Sequence, residues 1–458
     1  DLSQAYIFDT VAEYQASTTV LPVGKTVHLK DRGADFTVIS GTGAANSLDI
    51  IANASVNQSV TISTVGGYFM EQWGVVSNEI ANDTVALNNM IEKVSALGGG
   101  ELIHKGGGIL TDGVTPKTNV ILKGAGRFTS FLVASSACSD VLGYVDVASA
   151  PDMRGFSIVD FGIDGMNQLD GGLGIALNMN NNMGNFKRLY IVNCKQQGLF
   201  LGGQRFEAGV VFSDYPRTTI AGGKWNYVDD IIVFNCGLAT SGLRHNIHFK
   251  DCTGPFMGNI QSAGASNGSA MYLENTAEVN IGRFECWESK RAVTIEVTRA
   301  GAESGLIIIK DLKADYIEQD GLVLDAGVGS IERIRVDNFR AGSIGDTLNN
   351  TYAVVKLIGA SAGGGFVEDC VIKGIENQRN VTTTTSPKYI IEATGNTRQN
   401  RFEVDRAEDY ATEIMNSVND DSGYNTRNEI LINNDVTQAG PATFNRTGEI
   451  NTGQTLAV

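Results

Sequence analysis

The sequence predicts an all-β protein built as a right-handed parallel β-helix, a β-solenoid that grows coil by coil around one core. Three observations predict it. Short apolar runs of strand length recur at a loose period above twenty residues. Glycine and asparagine, 54 and 37 of 458 residues, punctuate those runs, while proline occurs only 7 times. Hydrophobic residues make up 42% of the chain, enough for an extensive core. A propeller would need about 40 residues and four strands per blade. A leucine-rich repeat would need a strict leucine and asparagine frame, which is missing.

Residues 1–75 read as a small β-rich module. AYIFDTVAEYQAS fits a short helix or a strand and turn, and TVHLKD, FTVI and SVTIS fit strands. One helix follows in NDTVALNNMIEKVSALGGG. Asp83 is placed to cap it, Val85, Met90, Ile91, Val94 and Leu97 fall near one face, and Gly98, Gly99 and Gly100 stop it. A lone helix before a strand series suits a solenoid end, where an open coil would expose unpaired edges.

The β-helix is expected over 76–404. Its repeat is a strand ending in a small or polar pair, a turn, then a second strand. NFKRLYIVNC opens one copy at Asn185. Later copies start at Tyr227, Pro255, Val279, Gly305 and Ile331, 24 to 28 residues apart, and further ones at Gly365 and Asn400. Asparagine suits the corners because it tolerates left-handed backbone. All six cysteines are expected as free, buried thiols. From about 405 the repeat fades, and residues 405–458 read as a C-terminal β-rich region that packs around a three-fold axis.

The stretch WGVVSNEIANDTVALNNMIEKVSALGGGELIHKGGGILTDGVTPKTNVILKGAG resembles the entry of pectate-lyase-like β-helices: a D-T-x-A helix start, a glycine-rich strand, then N-V-x-L-x-G-x-G. The preceding AYIFDTVAEYQASTTVLPVGKTVHLKDRGADFTV is similar to the small module before the β-helix of bacteriophage tailspikes. The resemblance implies a capsule or surface-polysaccharide depolymerase on the phage virion, acting at the host cell surface. It further implies a homotrimer joined to other tail proteins through its N-terminal side. It transfers no catalytic motif, because such tailspikes share a scaffold and not a site.

In a β-helix, equivalent positions of successive coils stack at about 4.8 Å. Alternation along the second strand of each repeat points Ile247, Phe249, Met271, Leu273, Val293, Ile295, Leu322 and Leu324 inward. Two outward columns remain: His248, Tyr272, Thr294 and Val323, and Lys250, Glu274, Glu296 and Asp325. Stacked carboxylates repel, and crowding raises one pKa so that one acid stays protonated beside an ionised neighbour. Adjacent coils give about 5 Å, the retaining separation, and alternate coils about 9.6 Å, the edge of the inverting range.

Glu274 and Glu296 are therefore the candidate catalytic pair, with Asp251 and Glu285 in reserve. A solvated charged face, partly neutralised by Lys250, Lys290, Arg291 and Arg299, is the competing reading. Glu288 flanks Trp287 in FECWES. The excursion between Gly202 and Tyr227 breaks the repeat and carries Trp225. Trp225, Tyr227, Tyr272 and Trp287 are candidate stacking surfaces for sugars. Arg244, His245, His248 and Lys250 add positive charge suited to an acidic sugar or a charged transition state.

Other chemistries are poorly represented. A formal charge of −16 argues against nucleic acid and anionic lipid. No apolar run approaches the roughly 18 residues of a membrane span. His245-x-x-His248 lacks partners for a metal, and neither a calcium loop nor a phosphate loop occurs, so no cofactor is expected. The leading expectation is an endo-glycosidase acting on a bacterial capsular polysaccharide or exopolysaccharide. A lyase using Lys250 or His248 as base, and a non-catalytic glycan-binding adhesin, are the alternatives.

Overall fold

The computed structural model describes residues 5–43, 45, 50–63, 68–144, 154–178, 183–202, 226–238, 245–265, 267–345, 351–360, 365–378, 387–407, 413–418 and 428–436. It opens with a five-stranded sheet in the order Tyr6–Phe8, Thr26–Leu29, Ala34–Ser40, Gln58–Ile62, Ile50–Asn53. The first pair is parallel and the rest antiparallel. Val27, Leu29, Phe36, Val38, Ile51 and Val60 form its own core, closed by Tyr14 of the short helix Val11–Ala16.

The rest is a parallel β-helix. Among the described residues, strands join into sheets of 18, 10 and 4 members. The second runs from Leu142–Tyr144 through Ser269–Glu274 to Glu413–Val418. One core, from Met70 to Ile430, threads the whole stack. Tyr68–Phe69 already pairs with Gly100–Ile103 of the long sheet, so the junction with the small module lies before residue 68. The ladders also run past 404, with Glu413–Val418 on Tyr389–Thr394 and Glu429–Val436 on Arg401–Ala407. Of residues 405–458, where strands around a three-fold axis were expected, 408–412, 419–427 and 437–458 lie outside the described residues.

The helix Thr84–Ala96 caps the open end by burying Leu87, Met90, Ile91 and Val94. Here the sequence reading needs correction. Val85 and Leu97 are exposed, because the buried stripe follows Leu87 and its i+3, i+4 and i+7 partners. Asp83 is the N-cap residue, but its carboxylate accepts from the Val76 and Ser77 N–H groups, and Asn82 Oδ1 takes the Thr84 N–H at 3.0 Å in its stead. Gly98 and Gly99, with φ of 101° and 107°, turn the chain off the helix as expected.

Corners of the coil are set by left-handed backbone. Registers align Asn193, Asn235, Gly264, Glu288, Tyr316 and Ser343 in one column, all with φ between 51° and 73°. Asn235 Nδ2 donates to Asn193 Oδ1 at 3.0 Å, so the corner is also hydrogen-bonded between coils. This bend separates the long sheet from the ten-stranded one within each coil. All six cysteines are free and buried.

Candidate active site

The leading candidate residues lie on the ten-stranded sheet. Its strands Leu199–Gly202, Ile247–Lys250, Ser269–Glu274, Arg291–Glu296 and Leu322–Asp325 lie side by side in that order. The registers are those read from alternation: His248 faces Tyr272, then Thr294, then Val323, while Lys250 faces Glu274, then Glu296, then Asp325. Their neighbours Ile247, Phe249, Met271, Leu273, Val293, Ile295, Leu322 and Leu324 are fully buried in the core.

The face is less open than a charged surface. Glu274 is only 4% exposed. Its Oε1 accepts from Lys250 Nζ at 2.8 Å and from Thr298 Oγ1 at 2.7 Å, and its Oε2 from His248 Nε2 at 3.0 Å. Burial pushes this carboxyl up, but the bonds from His248, Lys250 and Thr298 outweigh it and bring the pKa down to about 2. Crowding therefore does not keep Glu274 protonated; it is ionised at neutral pH. Glu296, one coil on and half-buried, accepts from Tyr272 Oη at 2.7 Å. Burial and that bond push the phenol far above its ordinary range, so Tyr272 stays a donor.

Two further expectations are corrected. Tyr272 offers no stacking surface, being 5% exposed with its ring 4.2 Å from His245 and 4.8 Å from His248. The two histidines carry no positive charge at neutral pH. Burial lowers the pKa of His248 despite Glu274, and lowers that of His245 to about 3. His245 Nδ1 accepts the Ser269 N–H at 3.0 Å, and the edge of Phe200 closes the other side of His248. Positive charge instead comes from Lys250 and from Arg299, whose Nη1 donates to Asp251 Oδ1 at 2.8 Å. Asp251, buried and left-handed at φ 51°, has its carboxyl pushed up by burial against the pull of Arg299.

The remaining candidates lie elsewhere. Glu285 sits on the long sheet, across the corner, where bonding to Lys313 at 2.8 Å, with Arg283 at 3.1 Å, lowers its pKa against partial burial. Trp287 is half-buried on that same strand, and Glu288 is the exposed corner residue. Tyr227, also on the long sheet, stacks on Phe256 at 5.4 Å and donates to Asp229 at 3.1 Å. Trp225 and Arg244 lie outside the described residues. Among the described residues no cluster of three His, Cys, Asp or Glu is placed to hold a metal. Thr298 was missed by sequence reasoning; its signal was Asn275, which bonds its N–H and hydroxyl from the previous corner.

Comparison with solved structures finds the same overall fold in other proteins. A mutant tailspike protein of E. coli bacteriophage HK620, in complex with pentasaccharide, superposes with a TM-score of 0.56 at 13% identity, over 90% of this chain and 72% of that one. A tailspike protein of Acinetobacter baumannii bacteriophage Fri1, a capsular polysaccharide depolymerase, matches at 0.52 and 11%, over 96% and 76%. Full-length tailspike protein 2 from Escherichia coli O157:H7 bacteriophage CAB120 matches at 0.52 and 12%, over 88% of this chain. This chain has the tailspike fold. It spans about half the length of that last protein, 51%. No protein-family model and no curated protein matches the sequence. At such identities the likeness shows the fold alone.

Proposed function

We propose that this chain is the glycan-cleaving part of a phage tailspike, an endo-glycosidase acting on a bacterial surface polysaccharide. The observation that carries the reading is the pairing of Glu274 with Glu296 on adjacent coils. It puts two carboxylates about 4.8 Å apart at the backbone, near the retaining separation. Glu296, the more open of the two, meets the glycosidic oxygen with Tyr272 hydrogen-bonded to it. Glu274, ionised and fixed by three donors, supplies negative charge beside the oxocarbenium-like transition state. The lyase alternative is weaker, since Glu274 holds Lys250 in an ion pair at 2.8 Å and the nitrogen that His248 keeps free among the described residues, Nδ1, is buried. On this reading the chain is a homotrimer on the virion, joined to other tail proteins through its N-terminal side.

The test is incubation with polysaccharides from a panel of bacterial strains, followed by mass spectrometry of the released oligosaccharides. A hydrolase adds water at each cut. Products absorbing in the ultraviolet through a new double bond favour the lyase, and unchanged polymer length favours the adhesin. Glu274→Gln and Glu296→Gln that both keep full activity remove the site assignment.

A further inference from the structure

Outside the carboxylate pair, the same sheet presents a cation whose guanidinium is largely unspent. Arg291 opens the strand that ends in Glu296, and faces Ser269 of the previous coil. Its side chain is 42% exposed, so the tip reaches the surface. Its Nε is buried and has no hydrogen-bond partner among the described residues. The nearest acid, Asp320, stands off at 3.9 Å, beyond hydrogen-bond range. Asp320 already accepts the Ala353 N–H at 3.0 Å through its other oxygen, and burial pushes its carboxyl up. Arg291 is therefore not neutralised in the way that Glu274 takes Lys250 and Asp251 takes Arg299.

The surroundings suit a ligand. From Arg291 to Glu296 the strand covers about 16 Å, an oligosaccharide-sized span. Between them, Thr294 and Ser269 share a hydroxyl bond of 2.7 Å, and the neutral His245 lies on Tyr272. The exposed tip of the guanidinium, its two terminal nitrogens, is what a ligand can reach, and a planar pair of N–H donors is a fork that a carboxylate fits bidentately. A chain of formal charge −16 repels a polyanion at long range. An acidic polymer would thus need such a local cation to settle here.

We propose that Arg291 forms a carboxylate-binding subsite on this face, and that the polysaccharide it takes is acidic, with a uronate, nonulosonate or pyruvate carboxylate in its repeat. The inference rests on the glycan-cleaving reading above and adds the substrate class. The test uses the polymer identified by the strain panel, in native form and after chemical reduction of its carboxyl groups to alcohols. The enzymes compared are the wild type, Arg291→Gln and Arg291→Lys. On the native polymer, Arg291→Gln is expected to raise KM by about 10- to 100-fold, the loss of one charge-assisted contact, with Arg291→Lys in between. On the reduced polymer the wild type should show the same raised KM, and Arg291→Gln should add less than about two-fold to it.

A native-polymer KM unchanged in Arg291→Gln, or a cleaved polymer without any acid group, overturns the subsite. Glu296→Gln is the separate control. If it and Glu274→Gln both keep full activity, the carboxylate assignment falls whatever Arg291 does. A panel in which nothing is cut or bound overturns both readings.

Discussion

Glu274 is the group whose removal should be felt most. Its carboxylate is 5% exposed at the side chain and holds three donors, Lys250, His248 and Thr298. The folded pKa of about 2 lies below the ordinary 4.5, so the ionised form favours the native state. At 1.36 kcal/mol per pH unit the difference is about 3 kcal/mol. Removing one partner of a buried pair costs about 3–5 kcal/mol on general grounds, in line with that figure. This contribution is fully present above pH of about 4.5, declines as pH falls, and is lost through pH of about 2. Glu274→Gln imitates the protonated form. Unfolding by guanidinium chloride, followed by tryptophan fluorescence, should show the variant about 3 kcal/mol less stable at pH 7. Near pH 2 the gap should shrink below about 1 kcal/mol. A gap of equal size at both pH values, or none at pH 7, would refute the electrostatic account of this residue.

Four other outcomes follow from the same geometry. Tyr272→Phe removes the donor to Glu296 and should lower kcat by about 10-fold or more, with binding of the polymer unchanged by calorimetry. Arg299→Ala leaves the Asp251 carboxylate buried without its cation and should cost about 3 kcal/mol in denaturant unfolding. Asn235→Val puts a β-branched residue at φ 53° and breaks the bond to Asn193, so a loss of about 2 kcal/mol is expected in the same assay. Phe249→Ala opens the core directly beneath the site and should cost about 3–5 kcal/mol.

Much of the architecture was legible because strand alternation has a period of two. Once Phe249, Leu273, Ile295 and Leu324 are assigned inward, the facing of Lys250, Glu274, Glu296 and Asp325 follows, and the ladders carry it out. What was not legible depends on packing from residues distant in sequence. His248 and Tyr272 point away from the core, yet neighbouring side chains, Phe200 and His245 among them, pack against them and leave both rings buried. Burial likewise keeps His248, and His245 stacked on Tyr272, as neutral imidazoles where cations were expected. Glu285 shares a coil with Glu296, but the left-handed corner at Glu288 puts it on another sheet, which linear spacing does not reveal. Sequence reasoning also ended the coils at 404, because polar residues interrupt the apolar alternation of Glu413–Val418 and Glu429–Val436, strands still in register with their neighbours.

The most direct test of the central claim is a crystal structure of Glu296→Gln soaked with the oligosaccharide released from the susceptible polymer. The account places a sugar ring across the pair, with its glycosidic oxygen within hydrogen-bond reach of residue 296 and Glu274 alongside. Sugar bound only on the long sheet, for instance against the Tyr227–Phe256 stack, with this face empty, would contradict it.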